Sequence, residues 1–256
     1  MPLVTAQTSA SPSANARPRI ASTIGRLPAS SGSPGPDLPA GPRIHYVDRP
    51  QARQAFVLAA TGGAAPGQAA ENLPLELLAD ALAGNKSSRL NQLLREQKHW
   101  TYGVGSFLWR SGDRRVLVAY GAVERDKAKD TMVEIGRELR AVAGERPLAG
   151  EELAAVKSHR SARLANALLT VDGLARSIAD LVAAGLPDSA YGTWAERLAA
   201  VSPDDVRQAA RTLVDPDKIV WVVVGDRAVI EPSLGAGALA PPKAGEAPAP
   251  AATGKR

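Results

Sequence analysis

The chain has 256 residues, 45% of them apolar and only 4% aromatic, so a sizeable core built from Leu, Val, Ile and Ala is expected. The absence of cysteine excludes disulfides, thiolate metal sites and a cysteine nucleophile. The formal charge of +5 sits mainly at the ends: Arg17, Arg19 and Arg26 against Asp37, and Lys243, Lys255 and Arg256 against Glu246, give +2 each and leave +1 between them. A nucleic-acid binder concentrates positive charge on its folded surface, so this distribution argues against that class.

Pro, Gly, Ser and Ala make up 26 of the first 42 residues. Such a stretch cannot bury enough apolar surface to offset its ordering entropy. Residues 1–42 therefore read as a disordered tail, residues 240–256 as a second one, and 43–239 as the folded unit. No run is long and apolar enough to span a bilayer. The N-terminus lacks a basic start followed by an apolar segment and reads as no ordinary secretory signal, so the compartment is left open between periplasm and cytoplasm.

Ile44–Asp48 and Gln54–Ala60 have strand character, joined across Arg49-Pro50, and Pro66-Gly67 marks a loop. Leu73, Leu77, Leu78, Ala81 and Leu82 recur at helical spacing, predicting a helix over 71–83 ended by Gly84. Leu90, Leu93 and Leu94 predict a second helix over 87–97, capped by Ser87. Thr101–Arg110 alternates as a strand, 111–113 turns, and Arg115–Val123 returns. Ala128, Met132, Ile135, Leu139 and Val142 form one helical stripe. Leu153, Val156, Leu164 and Leu168 mark a helix over 150–169, with Glu151 and Glu152 as a solvated pair at its start, and Leu174, Ile178 and Leu181 mark another ending near Gly185. Ser202-Pro203-Asp204-Asp205 has the chemistry of a helix start, with cap, first-position proline and acids facing the dipole. Ile219–Val224 reads as a fully buried strand closed by Gly225-Asp226. Hairpins and helices without regular βαβ units predict an α+β fold, with helices packed on a largely antiparallel sheet.

The most informative segment is Ser87–Gly105, SSRLNQLLREQKHWTYGVG. Arg95 falls near the end of the predicted helix and Tyr102 at the start of the strand. Alternation puts Tyr102, Val104 and Ser106 on one face and Gly103, Gly105 and Phe107 on the other. Two glycines flanking Val104 weaken a strand and suit a place where another backbone approaches closely, as when a peptide adds to a sheet edge. A guanidinium and a phenol on adjacent elements can hold one extended peptide: the phenol donates to the carbonyl oxygen that gains charge, and the guanidinium fixes the register. The residue types alone fit equally a tyrosine with its ring in the core and an arginine in solvent.

The run SSRLNQLLREQKHWTYGV resembles the pitrilysin family, inverted-motif zinc peptidases that include insulin-degrading enzyme and mitochondrial processing peptidase. IHYVDRPQARQAFV is similar to the family's opening strand, and ALLTVDGLARSIADLVAAGLPDSAYGTWAERLAAVSPDDVRQAARTLVDPDKIVWVVVGD to its closing section, so the likeness covers about 43–235. In this family an active domain carries HxxEH for zinc, and a second domain carries an Arg/Tyr pair that completes the site. The resemblance assigns those assisting roles to Arg95 and Tyr102, with a metalloprotease-like fold. One departure is Lys98-His99-Trp100-Thr101, bulkier than the family's Gly-Leu approach to the tyrosine.

A zinc site of this type needs two histidines on one helical face with a glutamate between them. The three histidines, His45, His99 and His159, are scattered, so no metal ligand is expected in this chain. The resemblance implies the non-metal half of a zinc endopeptidase. Its zinc would lie in a separate HxxEH subunit, forming a heterodimer that takes peptide and no nucleic acid, and alone the chain would cleave nothing. The alternatives are a catalytically inert scaffold subunit of the same family and a truncated product. Gly62-Gly63 lacks the context of a phosphate cradle, and Trp109, Trp194 and Trp221 read as core or rim residues.

Overall fold

The computed structural model describes residues 43–64, 72–111, 114–183, 186–187 and 189–235. The expected tails, the Pro66-Gly67 loop and the hairpin tip at 112–113 lie outside the described residues. The strands are β1 (Arg43–Asp48), β2 (Gln54–Ala64), β3 (Thr101–Ser111), β4 (Arg114–Glu124) and β5 (Val220–Gly225). They form one sheet in the order β1-β5-β2-β4-β3. Only β1 and β5 run parallel; the other three pairings are antiparallel. The helices are α1 (Leu73–Ala83), α2 (Ala128–Ala143), α3 (Gly150–Ala167), α4 (Val171–Ala183), α5 (Trp194–Ala200), α6 (Pro203–Leu213) and α7 (Arg227–Leu234). A π-helical segment, Asn91–Gln97, precedes β3. The fold is therefore α+β, as the alternation of hairpins and helical stripes predicts.

The helices cover one face of the sheet. Leu77, Leu78 and Leu82 of α1 are wholly buried, as are Ile135 of α2, Val206 of α6 and Val57, Val123 and Val223 of the sheet. Each such aliphatic side chain contributes about 2 kcal/mol through burial. Ser202 caps α6 as its sequence announces: its hydroxyl accepts from the Asp205 N–H while the Asp205 carboxylate accepts from the Ser202 N–H.

Among the described residues no element covers the other face of the sheet, and this corrects the reading of Ile219–Val224 as fully buried. Burial alternates along β5: Trp221, Val223 and Gly225 face the helices, whereas Val220, Val222 and Val224 are only half-buried. The continuous apolar run reflects two apolar faces, of which one is covered. On the open side Phe107 and Trp109 are exposed, and Tyr120 packs between Phe56 and Phe107 with ring centroids 6.1 and 5.8 Å away. Trp194 and Trp221 belong to the core, but Trp109 does not. The stripe on α4 is also largely uncovered, with Leu174, Ile178 and Val182 all at least partly in solvent. Periodicity identifies such a helix but cannot say whether its partner lies within the chain.

Candidate functional site

The segment that carries Arg95 is anchored before it begins. Arg89 is almost fully buried and donates to Glu152 at 2.6 Å, to Glu138 at 3.2 Å and to the carbonyl oxygens of Arg146 and Pro147. Burial works against its charge, but the Glu152 and Glu138 carboxylates outweigh that and hold its pKa above the ordinary value. Arg146 also binds Glu138. Glu152 is thus a partner in a buried network and not a solvated helix-start charge. Ser88 opens the helical turn, its carbonyl accepting from the Gln92 N–H, while the Ser87 N–H donates to the Asn85 side chain. The expected Ser87 cap is not formed, and the Ser88 hydroxyl does not replace it but donates to the Asn85 carbonyl.

From Asn91 the helix widens. The Lys98 N–H reaches back five residues to the Leu93 carbonyl at 3.0 Å, and the Trp100 N–H six residues to Leu94 at 2.9 Å. Periodicity alone predicts an ordinary α-helix here, and the structure shows a π-helical one. Such segments are uncommon and occur often at functional sites. The widened turn aims the buried Asn91 amide at the edge of β3. Its nitrogen donates to the Val104 carbonyl and its oxygen accepts from the Val104 N–H, both at 2.9 Å. The same nitrogen reaches the Asn85 carbonyl and the Ser88 hydroxyl. Asn91 thus occupies the outer edge of β3 at the point where a peptide strand would pair.

His99 joins helix to strand in the left-handed region, with φ 58°. That region is open mainly to glycine, and histidine is one of the few other residues enriched there. The bulk of Lys98-His99-Trp100 is accommodated because the Lys98 ammonium sits 5.1 Å from the centre of the Trp100 ring and 3.6 Å from Glu134.

β3 then breaks register. Thr101 pairs with Val123 and Val104 with Gly121, so three steps on β3 match two on β4. This extra residue is a bulge, and it overturns the simple alternation. Val104 faces the core, 8% exposed, while Tyr102 is 92% exposed. The Thr101 hydroxyl ties the bulge by donating to Ala122 at 2.6 Å. Gly105 is required for a different reason than the expected approach of a second backbone. A Cβ there would lie 2.8 Å from the Tyr120 ring, which crosses the strand.

Arg95 is four residues beyond Asn91 on the π-helical segment, 30% exposed at its side chain, with its guanidinium 3.4 Å from the Glu96 carboxylate. Neither Arg95 nor Tyr102 is buried, and the elements that carry them are tied together through Asn91 and Val104. Arg89 and Asn91, which build the site, escaped individual notice in the sequence; a charged and an amide residue inside a leucine-rich helix were the available signals.

His45, His99 and His159 lie on β1, in the turn before β3 and on α3, and each is exposed. Among the described residues no group of three His, Cys, Asp or Glu side chains is placed to hold a metal ion. No described helix is long and apolar enough to cross a membrane.

The family profile of the peptidase M16 inactive domain matches residues 12–160. Among solved structures, a protease from Helicobacter pylori superimposes with a TM-score of 0.64 at 18% identity, covering 74% of this chain and 45% of that one. A peptidase M16 inactive domain from Pseudomonas fluorescens gives 0.62 at 19% identity, covering 73% and 44%. The inactive peptidase domain of a zinc protease from Bordetella parapertussis gives 0.54 at 20% identity, covering 69% and 92%. At these identities the likeness establishes the fold. The chain spans less than half the length of the first two proteins. No curated protein matches it in sequence.

Proposed function

The chain belongs to the peptidase M16 inactive-domain family, and we propose that it acts as the metal-free partner of a separate HxxEH zinc subunit, holding peptide and completing that subunit's active site. The observation that carries this reading is Tyr102: a tyrosine 92% exposed at a bulge of an edge strand. Burying such a ring contributes about 2 kcal/mol. A locally irregular backbone that instead presents it to solvent is best accounted for by contact with another molecule.

The zinc ion and glutamate of the partner would supply the activated water. In this chain the Tyr102 hydroxyl donates to the peptide carbonyl oxygen as negative charge develops on it. The Arg95 guanidinium donates to a neighbouring peptide carbonyl and fixes the substrate's register. The Asn91 amide keeps β3 from slipping, so the phenol and guanidinium stay on a common frame.

The test mixes the chain with candidate HxxEH subunits from the same genome and follows hydrolysis of a fluorogenic peptide. Mixing is expected to raise the rate, and Tyr102→Phe to lower that gain by about a hundred- to thousandfold, the usual effect of losing one oxyanion donor. A gain that survives both Tyr102→Phe and Arg95→Ala overturns the mechanism, and no gain at all overturns the partnership in catalysis.

The open sheet face supports a second reading, an inert assembly subunit. Phe107, Trp109 and Phe56 leave an aromatic patch in solvent, of the kind that marks protein–protein contact. Under that reading Trp109→Asp abolishes co-elution with the partner, while Tyr102→Phe changes nothing measurable.

A further inference from the structure

β3 ends the sheet, and its outer edge is bare over part of its length. Along a strand, the N–H and C=O of every second residue point to the same side. Asn91 takes both groups of Val104 from the outer side. The register runs on unbroken after Val104, so Ser106 and Leu108 present theirs to that same side. Among the described residues neither backbone finds a partner there. The Ser106 side chain is turned inward, its hydroxyl donating to the Ala79 carbonyl of α1 at 2.5 Å. That contact seats the strand and leaves its edge open.

Proteins usually blunt an edge by shortness or by charge. β1, at the opposite edge, has both: it is six residues long and carries Arg43, His45 and Asp48. The stretch Gly105–Trp109, GSFLW, has neither protection. Phe107 and Trp109 stand beside it on the face that no described element covers, 46% and 59% exposed. Unpaired main-chain groups and uncovered aromatic rings thus lie side by side, which is how a sheet edge that accepts an extra strand is built: the backbone gives affinity and the alternate side chains give selectivity.

We propose that the Gly105–Trp109 edge takes up a short extended segment of a substrate peptide as an added strand, with aliphatic or aromatic side chains laid against Phe107 and Trp109. The N–H and C=O groups of Ser106 and Leu108 supply four main-chain hydrogen bonds. Asn91 stops the ladder at Val104, so the peptide must leave the edge there. Tyr102 lies four residues from Ser106, about 13 Å at the usual strand rise, so the segment is gripped about four residues away from the carbonyl that the phenol would hold. A second copy of the chain is a poor occupant, because two outward-facing residues bury far less than the roughly 800 Å² per partner of a stable interface. The site rests on the peptide-holding role proposed above but needs no zinc subunit, and the chain alone tests it.

The probe is acetyl-Lys-Val-Thr-Phe-Thr-Val-Lys-amide, whose valines and phenylalanine share one face. Calorimetric titration is expected to give a Kd below about 1 mM, with exchange of the Ser106 and Leu108 amides slowed at least about tenfold in the complex. N-methylation of alternate residues then reads the ladder. Methylating both threonines removes the edge-facing N–H groups of an antiparallel strand, and methylating the valines and phenylalanine removes those of a parallel one. One set and not the other is expected to weaken binding at least about tenfold, since hydrogen bonds are lost and a methyl group is inserted between strands. Trp109→Thr weakens binding at least about threefold, while His45→Ala on the opposite edge leaves it unchanged. No binding at about 1 mM, equal effects of the two methylated sets, indifference to Trp109→Thr, unchanged exchange at Ser106 and Leu108, or protection of these amides by self-association of the chain overturns the site. Such a failure leaves the Tyr102 and Arg95 mechanism standing, and a failure to stimulate a zinc subunit leaves this binding unaltered.

Discussion

Replacing Asn91 by alanine removes the brace between the π-helical segment and β3. Its side chain has four hydrogen-bonding partners: the oxygen accepts from the Val104 N–H, and the two amide hydrogens are shared among the Val104 carbonyl, the Asn85 carbonyl and the Ser88 hydroxyl. Asn91 and Val104 are both buried, at 4% and 8% exposure, so the groups left behind are poorly reached by water. An unsatisfied buried group costs about 1–3 kcal/mol. Four fully stranded groups would cost at least about 4 kcal/mol, and because the adjoining bulge lets water approach some of them the expected total falls to about 3 kcal/mol. Urea unfolding of the variant beside the native chain reads this directly as a shift in midpoint at constant slope. Asn91→Asp is informative as a second variant, because a carboxylate still accepts from the Val104 N–H but faces the Val104 carbonyl with no proton to donate; it is expected to lose about 2–3 kcal/mol. Amide exchange at Val104 should accelerate in both. A loss below about 1 kcal/mol for Asn91→Ala, with Val104 exchange unchanged, would refute the brace.

Gly105→Ala pushes a methyl against the Tyr120 ring at 2.8 Å and is expected to cost about 1–3 kcal/mol; the penalty should shrink in a Tyr120→Leu background, as read by a double-mutant cycle in urea. His99→Gly relieves a left-handed residue: about 1–2 kcal/mol of strain is removed against about 0.5–1 kcal/mol of added chain entropy, so thermal unfolding should show a small net gain. Ser202→Ala removes the α6 cap at about 1 kcal/mol. Hydrogen bonds from the Ser202 backbone and side chain hold the Asp205 carboxyl below the ordinary carboxylate range. The stability it lends is present above that range and lost as pH falls through the lowered value. Midpoints at pH 7 and pH 3 should therefore differ less in Ser202→Ala than in the native chain.

Where the sequence was legible, local chemistry and packing agree. Ser202-Pro203-Asp204-Asp205 specifies a helix start by itself, and Leu73, Leu77, Leu78 and Leu82 specify a stripe that α1 buries as spaced. Where reading fell short, the deciding contact lies far along the chain. Glu152 looks like a solvated helix-start charge until Arg89, 63 residues away, is folded against it. Ile219–Val224 and the α4 stripe are apolar enough to be core, but burial depends on whether a second layer arrives, and pattern carries no information about that layer. Gly105 shows the same limit at one residue: its lack of a side chain was visible, but the occupant of the space, the Tyr120 ring, was not.

The candidate site concentrates these failures, and the reason is physical. Between Asn91 and Val104 the chain departs from regular periodicity three times: a π-helical turn at Asn91–Gln97, a left-handed His99 and a bulge between Thr101 and Val104. Each departure shifts the phase of every side chain that follows it, so a reading that assumes 3.6- and 2-residue periods loses the direction of Tyr102 while keeping its position. The three shifts are not independent. The widened helix sets Asn91 against Val104, that contact fixes Val104 to the core, and with Val104 inward and Thr101 paired to Val123, the extra residue must bulge outward. The exposure of the phenol is thus a geometric consequence of a buried amide eleven residues earlier. A change of Asn91 should therefore disturb whatever Tyr102 touches, even though Asn91 itself never reaches solvent.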